Sequence, residues 1–133
     1  MKISLLLFLL FALTAGSCRE ENLQALLGIT FFHAFEDDRD GLRAYRPVDY
    51  PFPPARGRVG FRLEEKNVFV SLDIAPTDGQ EARQGSWKLV QEKPLIVEIQ
   101  LPARASVPGS KAEQHRWEVV SFQDSLLLIK ALD

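Results

Sequence analysis

An alternation of apolar and polar residues with a period of two constrains this chain more than any other feature. It is clearest at Val59, Phe61 and Leu63, which are separated by glycine or a charged residue. Such alternation is typical of a β-strand with one buried face. Turn-forming residues then divide the rest of the chain into further predicted strands at 68–73, 85–90, 94–101, 116–122 and 125–132.

Two more apolar segments, 28–35 and 42–46, are predicted as shorter strands, and residues 20–27 as a helical turn or two. Consecutive strands with short connections favour an antiparallel up-and-down meander. About eight such strands bury their apolar faces and lose their open edges by closing into a small barrel. The fold class is therefore all-β. The side chains expected to face the interior are Phe61, Val70, Trp87 and Val97.

The first residues have the pattern of an export signal. After Met1-Lys2, residues 3–13 form a run of eleven without a charge. This length suits the apolar region of a signal peptide and is too short for a membrane span of about 20 residues. Small residues follow at 14–17, and then comes Cys18.

This order of features resembles the bacterial lipobox. Gly16 and Ser17 fit it, whereas Ala15 stands where leucine is usual. The resemblance implies a signal peptide over 1–17 and membrane attachment through a lipid on Cys18. The alternative is an ordinary secretory signal beside an unmodified cysteine. Cys18 is the only cysteine, so no internal disulfide is possible and an exported free thiol is a liability, which favours lipidation.

The residues after Cys18 bear on localisation and on domain organisation. Arg19-Glu20-Glu21 resembles the acidic run of some surface lipoproteins, so the protein is expected on the outer membrane, at either the cell surface or the periplasmic face. We assign residues 18–27 to the lipidated cysteine and tether, and 28–133 to a single domain. Without Lys2 the exported chain has 15 basic and 18 acidic residues, a net charge of −3. So mild a charge predicts no nucleic-acid partner, and we expect a monomer.

The domain also resembles small bacterial lipocalin-like lipoproteins. The resemblance rests on Gly85-Ser86-Trp87 at the start of a strand and on the closing run of residues 125–132. Residues 45–58 and 74–79 add to it. It implies a lipocalin-like barrel in a family mostly without assigned activity, so it implies no functional residues.

Catalytic and metal-binding patterns are weak. His33 and His115 are the only histidines, and no serine lies in a nucleophile-elbow motif, so we expect no enzymatic activity. Residues 36–41 imitate the first half of a calcium loop, but Pro47 stands at the twelfth position, where glutamate is needed. No metal and no cofactor are therefore expected.

A cluster of arginine, proline and aromatic residues marks the candidate binding site. Residues 47–57 hold four prolines and are predicted as an ordered, irregular loop. Arginine beside aromatic rings suits carboxylate, phosphate or sugar recognition. The candidate site residues are Arg43, Tyr45, Arg46, Tyr50, Phe52, Arg56, Arg58 and Trp87. The alternative is that these arginines pair with the acidic residues at 36–40 and pin the loop to the barrel.

Two functions follow from these features. The first is a non-enzymatic lipoprotein that binds or carries a small or apolar ligand in the cell envelope. The second is an interaction or structural module, with a filled barrel that presents residues 43–58 to a protein or cell-wall partner. The state of the barrel interior distinguishes them, because a carrier needs a cavity.

Overall fold

The computed structural model describes residues 23–77 and 79–132, and these form an all-β closed barrel. The predicted fold class, about eight antiparallel strands closing into a small barrel, is confirmed. The predicted signal peptide, Cys18 and the first part of the tether lie outside the described residues. The strands are β1 (Thr30–His33), β2 (Arg43–Pro47), β3 (Gly60–Glu64), β4 (Val68–Ile74), β5 (Gln80–Gln91), β6 (Leu95–Leu101), β7 (Glu113–Gln123) and β8 (Leu126–Ala131).

Strand order follows the chain from β3 to β8 and departs from it at one place. β1 lies between β2 and β3, and β2 closes the barrel against β8. Phe31 is therefore paired with Pro47 on one side and with Phe61 on the other. Because β2 and β3 are not neighbours, the chain between them must cross β1. Residues 48–59, here named the strap, make this crossing without regular secondary structure, as predicted for most of the segment.

The interior faces follow the predicted alternation except in β4. Phe61, Trp87 and Val97 are buried, as expected. In β4, however, Phe69 and Ser71 are buried while Val70 is only half-buried, so the expectation for Val70 was wrong. Both faces of β4 carry apolar residues, so alternation alone does not show which face is buried. Pairing with β3 decides it, because Phe69 lies opposite the buried Leu63.

Two strands begin earlier than predicted, and one residue is more exposed than expected. β5 starts at Gln80 rather than residue 85, and β7 at Glu113 rather than 116. These first residues are polar, so no apolar alternation marks them. By alternation Leu89 shares the face of Trp87, but it is 39 % exposed, because β5 continues past its pairing with β4, which ends at Ser86.

Aromatic rings fill the middle of the barrel, with Phe61 at their centre. Its ring centroid lies 5.5 Å from Phe31, 5.0 Å from Tyr45 and 5.1 Å from Trp117. Phe69 stacks on it at 5.8 Å. Offset and edge-to-face arrangements at these distances are the favourable ones for aromatic pairs. The barrel is therefore packed by its own side chains at this level.

One end of the barrel is closed by the segment that precedes β1. A short 3-10 helix, Leu23–Ala25, leads to Leu26, which is 2 % exposed and belongs to the core. The Gly28 N–H donates to the Leu63 carbonyl, with N and O 2.7 Å apart. The predicted helical turn is present, and Leu26, which the sequence analysis assigned to the tether, packs in the core.

Candidate functional site

The strap lies across the outer face of β1 and is hydrogen-bonded at both ends. The Val48 N–H donates to the Thr30 carbonyl (2.9 Å), and the Val59 carbonyl accepts from the His33 N–H (2.8 Å). Between these points the Phe52 ring packs edge-on against Phe32, with centroids 6.4 Å apart. The strap therefore covers an outward apolar ring of β1 that a bare barrel would expose.

Arg58 fastens the strap to the segment after β1. Its guanidinium donates to both carboxylate oxygens of Glu36, which lies in the short 3-10 helix Phe35–Asp37. The same group donates to the carbonyls of His33 and Pro53, both at 2.9 Å. A planar, five-donor guanidinium can serve several acceptors at once, which an ammonium cannot do in one plane.

Two aromatic rings enclose the Arg58 guanidinium. Its central carbon lies 4.6 Å from the Phe35 centroid and 4.7 Å from the Phe52 centroid, both within cation–π range. The Arg58 side chain is consequently only 9 % exposed. Its hydrogen bonds lower the pKa of Glu36 from 4.5 to about 2, and the same carboxylate raises the pKa of Arg58. The pair is therefore charged at neutral pH.

Arg46 makes a second, similar attachment. Its Nε donates to Asp37 (2.7 Å), and its Nη1 donates to the Ser125 carbonyl (3.3 Å) in the turn between β7 and β8. Its guanidinium carbon also lies 4.2 Å from the Tyr50 centroid. Arg46 thus joins the strap, the acidic segment and the β7–β8 turn.

Asp38, the next acidic side chain of this segment, also has hydrogen-bond partners. Asp38 lies 2.9 Å from His33 Nε2, and its carboxylate accepts from the Ala44 N–H at 2.7 Å. Glu36 and Asp37 thus pair with arginines, as in the pairing alternative given above, whereas Asp38 does not. Within residues 23–77 and 79–132, no three His, Cys, Asp or Glu side chains are grouped as metal ligands.

A partly open cavity of about 190 Å³, here named the mouth pocket, lies at the barrel end opposite Leu26. The course of β3 shows that the pocket and Leu26 are at opposite ends. Gly60, at the start of β3, lines the pocket, and Leu63, near its other end, is hydrogen-bonded to the closing segment. The pocket floor is formed by the aromatic layer, including Phe61, Phe69 and Trp117. The pocket is therefore a shallow space above a filled interior.

A partly buried ionic cluster forms one wall of the mouth pocket. Arg83 Nε lies 3.2 Å from Asp73 Oδ2, and Arg83 Nη2 lies 2.7 Å from Glu113 Oε2. The Ser71 hydroxyl donates to Asp73 Oδ1 at 3.0 Å, and Arg83 Nη1 donates to the Pro102 carbonyl. Within the described chain, neither Arg83 Nε nor Asp73 Oδ2 has a hydrogen-bond partner, although both are buried.

The opposite wall carries Arg43. Three strands separate β2 from β5 in either direction around the barrel, so Arg43 faces Arg83 across the mouth. No carboxylate among residues 23–77 and 79–132 lies within ion-pair distance of Arg43. Burial raises the pKa of Tyr45 below it, and a hydrogen bond between the Arg43 and Tyr45 side chains acts in the opposite direction.

The structure divides the sequence-predicted site residues among three places. Arg43 and Tyr45 line the mouth pocket. Trp87 lies toward the closed end, where its indole N–H donates to the Glu64 carbonyl at 2.9 Å. Arg56 is exposed on the strap. The residues that hold the strap in place are Arg46, Tyr50, Phe52 and Arg58.

The ionic cluster of the mouth pocket was missed in the sequence. Arg83 lies on the inward face of β5, since it is four residues before the buried Trp87 on the same strand. Because the predicted strand began at residue 85, Arg83 was left outside it. Asp73 lies on the same face of β4 as Phe69, and the expectation that Val70 faces inward placed that face on the outside. Glu113 lies before the predicted start of β7. Counting back from Trp87 in steps of two residues would have predicted that Arg83 faces inward.

Comparison with known proteins adds no relative. Scans against protein-family models, curated proteins and solved structures found no match to this chain. In the part of the chain that the structure describes, no helix is long and apolar enough to span a bilayer. The functional argument therefore rests on the strap and the mouth pocket.

Proposed function

We propose that this chain is a lipid-anchored bacterial envelope protein that acts by binding rather than by catalysis. The sequence supports export and attachment through Cys18 at the outer membrane. The first described residues, Leu23–Ala25, lie at the closed end of the barrel. The mouth pocket is then at the barrel end opposite to the one where the described chain begins.

The leading function is that of an interaction module that presents the strap to a protein partner. The observation that carries it is the fixing of the strap by Arg58, which joins Glu36, His33 and Pro53 in one hydrogen-bonded group. A segment already ordered before binding loses little further conformational entropy in a complex. The filled aromatic interior also favours this function over the carriage of an apolar ligand.

The exposed part of the strap defines the partner's chemistry. Pro51, Pro53, Pro54 and Arg56 are exposed, whereas Phe52 is turned toward the barrel. Proline restricts the backbone to extended conformations, and aromatic-lined grooves on proteins recognise such segments. We therefore propose a protein partner with an aromatic groove and an acidic residue that pairs with Arg56.

Site-specific photocrosslinking in cells tests this function. A photoreactive residue at position 54 is expected to yield a discrete crosslinked protein, and Arg56→Glu is expected to reduce its yield about tenfold. A photoreactive residue at Lys111, also exposed, serves as the matched control. The same products from both positions, or yields unaffected by Arg56→Glu, would overturn the proposal.

A second candidate function is the binding of a small polar molecule in the mouth pocket. The observation that favours it is a cavity of about 190 Å³ with a partly buried ionic wall. Native mass spectrometry of the full chain, released from detergent micelles, tests whether a small molecule co-purifies. A bound mass that disappears on denaturation supports ligand binding, and a clean apo mass opposes it.

Attachment and localisation have a separate test. Cys18→Ser is expected to abolish labelling by a clickable fatty acid and to shift the protein out of the membrane fraction. Protease treatment of intact cells then distinguishes surface display from the periplasmic face. Unchanged fatty-acid labelling in Cys18→Ser would contradict the proposed anchor.

A relationship to lipocalin-like lipoproteins also stands as a proposal. It is supported by the closed eight-stranded barrel and by Gly85-Ser86-Trp87, whose tryptophan is buried in β5. The placement of β1 between β2 and β3 is the feature that a structure of a true relative should share.

A further inference from the structure

We propose that the mouth pocket binds a small zwitterion of the α-amino-acid type. Its carboxylate would pair with Arg43, and its ammonium with Glu113, the exposed carboxylate of the cluster that also contains Asp73 and Arg83. This inference rests on the second candidate function above and gives it a ligand class. It involves the strap only through Val59, which lines the pocket.

The charges of the two walls carry the inference. Asp73 and Glu113 share the single cation Arg83, so this wall has a net charge of −1. Arg43 on the opposite wall supplies +1 and has no carboxylate within ion-pair distance in the described chain. The pocket is therefore dipolar, and a ligand with both charges complements it better than a simple anion or cation.

The donors and acceptors agree with this orientation. A guanidinium at Arg43 can bind a carboxylate with two parallel hydrogen bonds. Across the pocket, the accessible acceptor is Glu113, whose side chain is 43 % exposed, whereas Asp73 Oδ2 is buried against Arg83 Nε at 3.2 Å. An ammonium carries three donors and no acceptor, so it can pair with the Glu113 carboxylate.

The size and floor of the pocket limit the ligand. A volume of about 190 Å³ is below the roughly 300–1,000 Å³ of sites for drug-sized molecules. The floor presents Phe61, Phe69 and Trp117. Phe61 and Phe69 are only 2 % and 1 % exposed, so Trp117, which is half-buried, offers the apolar contact for a short side chain. The ligand is therefore expected to be a small amino acid, either free or as the end group of a short peptide.

Three matched probes test the charge requirement by calorimetric titration of the full chain in detergent micelles. Alanine carries both charges, propionate only the carboxylate, and ethylamine only the ammonium. Alanine is expected to bind at least about tenfold more tightly than either of the others, the effect of one charge-assisted hydrogen bond. Equal affinity for alanine and propionate, or no binding of alanine, would overturn the zwitterion. Alanylalanine tests whether a peptide end is accepted.

Two variants test which wall of the pocket binds which charge of the ligand. Both change exposed side chains outside the aromatic core. Arg43→Gln is expected to weaken alanine about tenfold and to leave ethylamine unchanged. Glu113→Gln is expected to weaken alanine and ethylamine and to leave propionate unchanged. Arg56→Gln, on the strap, is the control and should change none of them. If Arg43→Gln and Arg56→Gln bind alanine with equal affinity, Arg43 does not bind the ligand carboxylate.

The failure of this inference can be distinguished from the failure of ligand binding itself. If native mass spectrometry shows a bound small molecule while alanine does not bind, the ligand class is wrong and the second candidate function stands. If alanine does not bind and the native mass is that of the apo protein, both are wrong.

Discussion

Arg58 and Glu36 lie 22 residues apart in the chain, and two parallel hydrogen bonds join the guanidinium of one to the carboxylate of the other. Glu36 belongs to the short helix after β1, and Arg58 to the end of the strap. The pair therefore closes a path from β1, through β2 and the strap, back to β1. It is the contact on which the order of the strap most directly depends.

Replacing Arg58 by lysine is expected to release the strap. A lysine keeps the charge but cannot reach Glu36, His33 and Pro53 together. Trypsin should then cleave after Arg56 about tenfold faster, because losing one charge-assisted hydrogen bond raises the open population by about that factor. Limited proteolysis followed by mass spectrometry measures the rate. Arg62→Lys, at an exposed ion pair with Glu64, is the control and should have little effect.

The same pair predicts a pH dependence. The pKa of Glu36 is lowered from 4.5 to about 2 in the folded protein, chiefly by its hydrogen bonds with Arg58. Its contribution to stability is therefore complete above about pH 4.5 and is lost as the pH falls toward 2. Urea unfolding of the wild type and Glu36→Gln should show a difference that is constant near neutral pH and shrinks below about pH 4.5.

A double variant provides the control for this pH dependence. In an Arg58→Gln background the partner of Glu36 is absent, so adding Glu36→Gln should produce no comparable acid-dependent change. A stability difference between wild type and Glu36→Gln that stays the same from neutral pH to pH 2.5 would contradict the role of the pair.

Leu26 is expected to be as important to stability as residues within the strands. It is 2 % exposed and packs in the core at the closed end, although it precedes β1. Leu26→Ala should lower the free energy of unfolding by about 2–5 kcal/mol, the usual cost of truncating a buried leucine. Leu89→Ala, at a residue 39 % exposed, should cost about 0.5 kcal/mol or less. Equal costs for the two would place Leu26 outside the core.

Gly85 is expected to tolerate no side chain. A Cβ at this position would lie 2.1 Å from the Gln100 carbonyl oxygen, which belongs to the backbone of the neighbouring strand β6. Gly85→Ala should therefore destabilise the protein by about 1–3 kcal/mol, since β6 must shift. The matched control is Gly79→Ala, where the nearest atom is 4.0 Å away. Thermal unfolding of both variants checks the difference, and similar midpoints would argue against the close approach.

The fold could be predicted because its main features are local. Alternation at Phe61 and Leu63, repeated between turns, required strands with one buried face, and about eight such strands close most simply into a barrel. The proline-rich segment was recognised for a similar reason, since proline excludes it from a central strand. The pairing of Arg46 with Asp37 and of Arg58 with Glu36 matches one of the two alternatives stated for this cluster.

The candidate mouth pocket depends on relationships that no local pattern contains. Asp73, Arg83 and Glu113 come from three strands and meet only because the register of β4, β5 and β7 places them at one barrel end. In β4 the two faces are similarly apolar, so the inward choice of Phe69 over Val70 came from pairing with β3. Register and strand order are set by the joint packing of distant segments, which a single strand's sequence does not encode.

Some features of this protein depend on the order of residues in the chain, and others only on its tertiary contacts. The alternation of residues and the position of Cys18 follow from the chain read in order, because each depends on neighbours in sequence. The insertion of β1 between β2 and β3, the central position of Phe61 and the meeting of opposite charges at the mouth depend on contacts between residues far apart in the chain. Burial of the shared aromatic core selects those contacts, and it can do so only when the whole barrel forms.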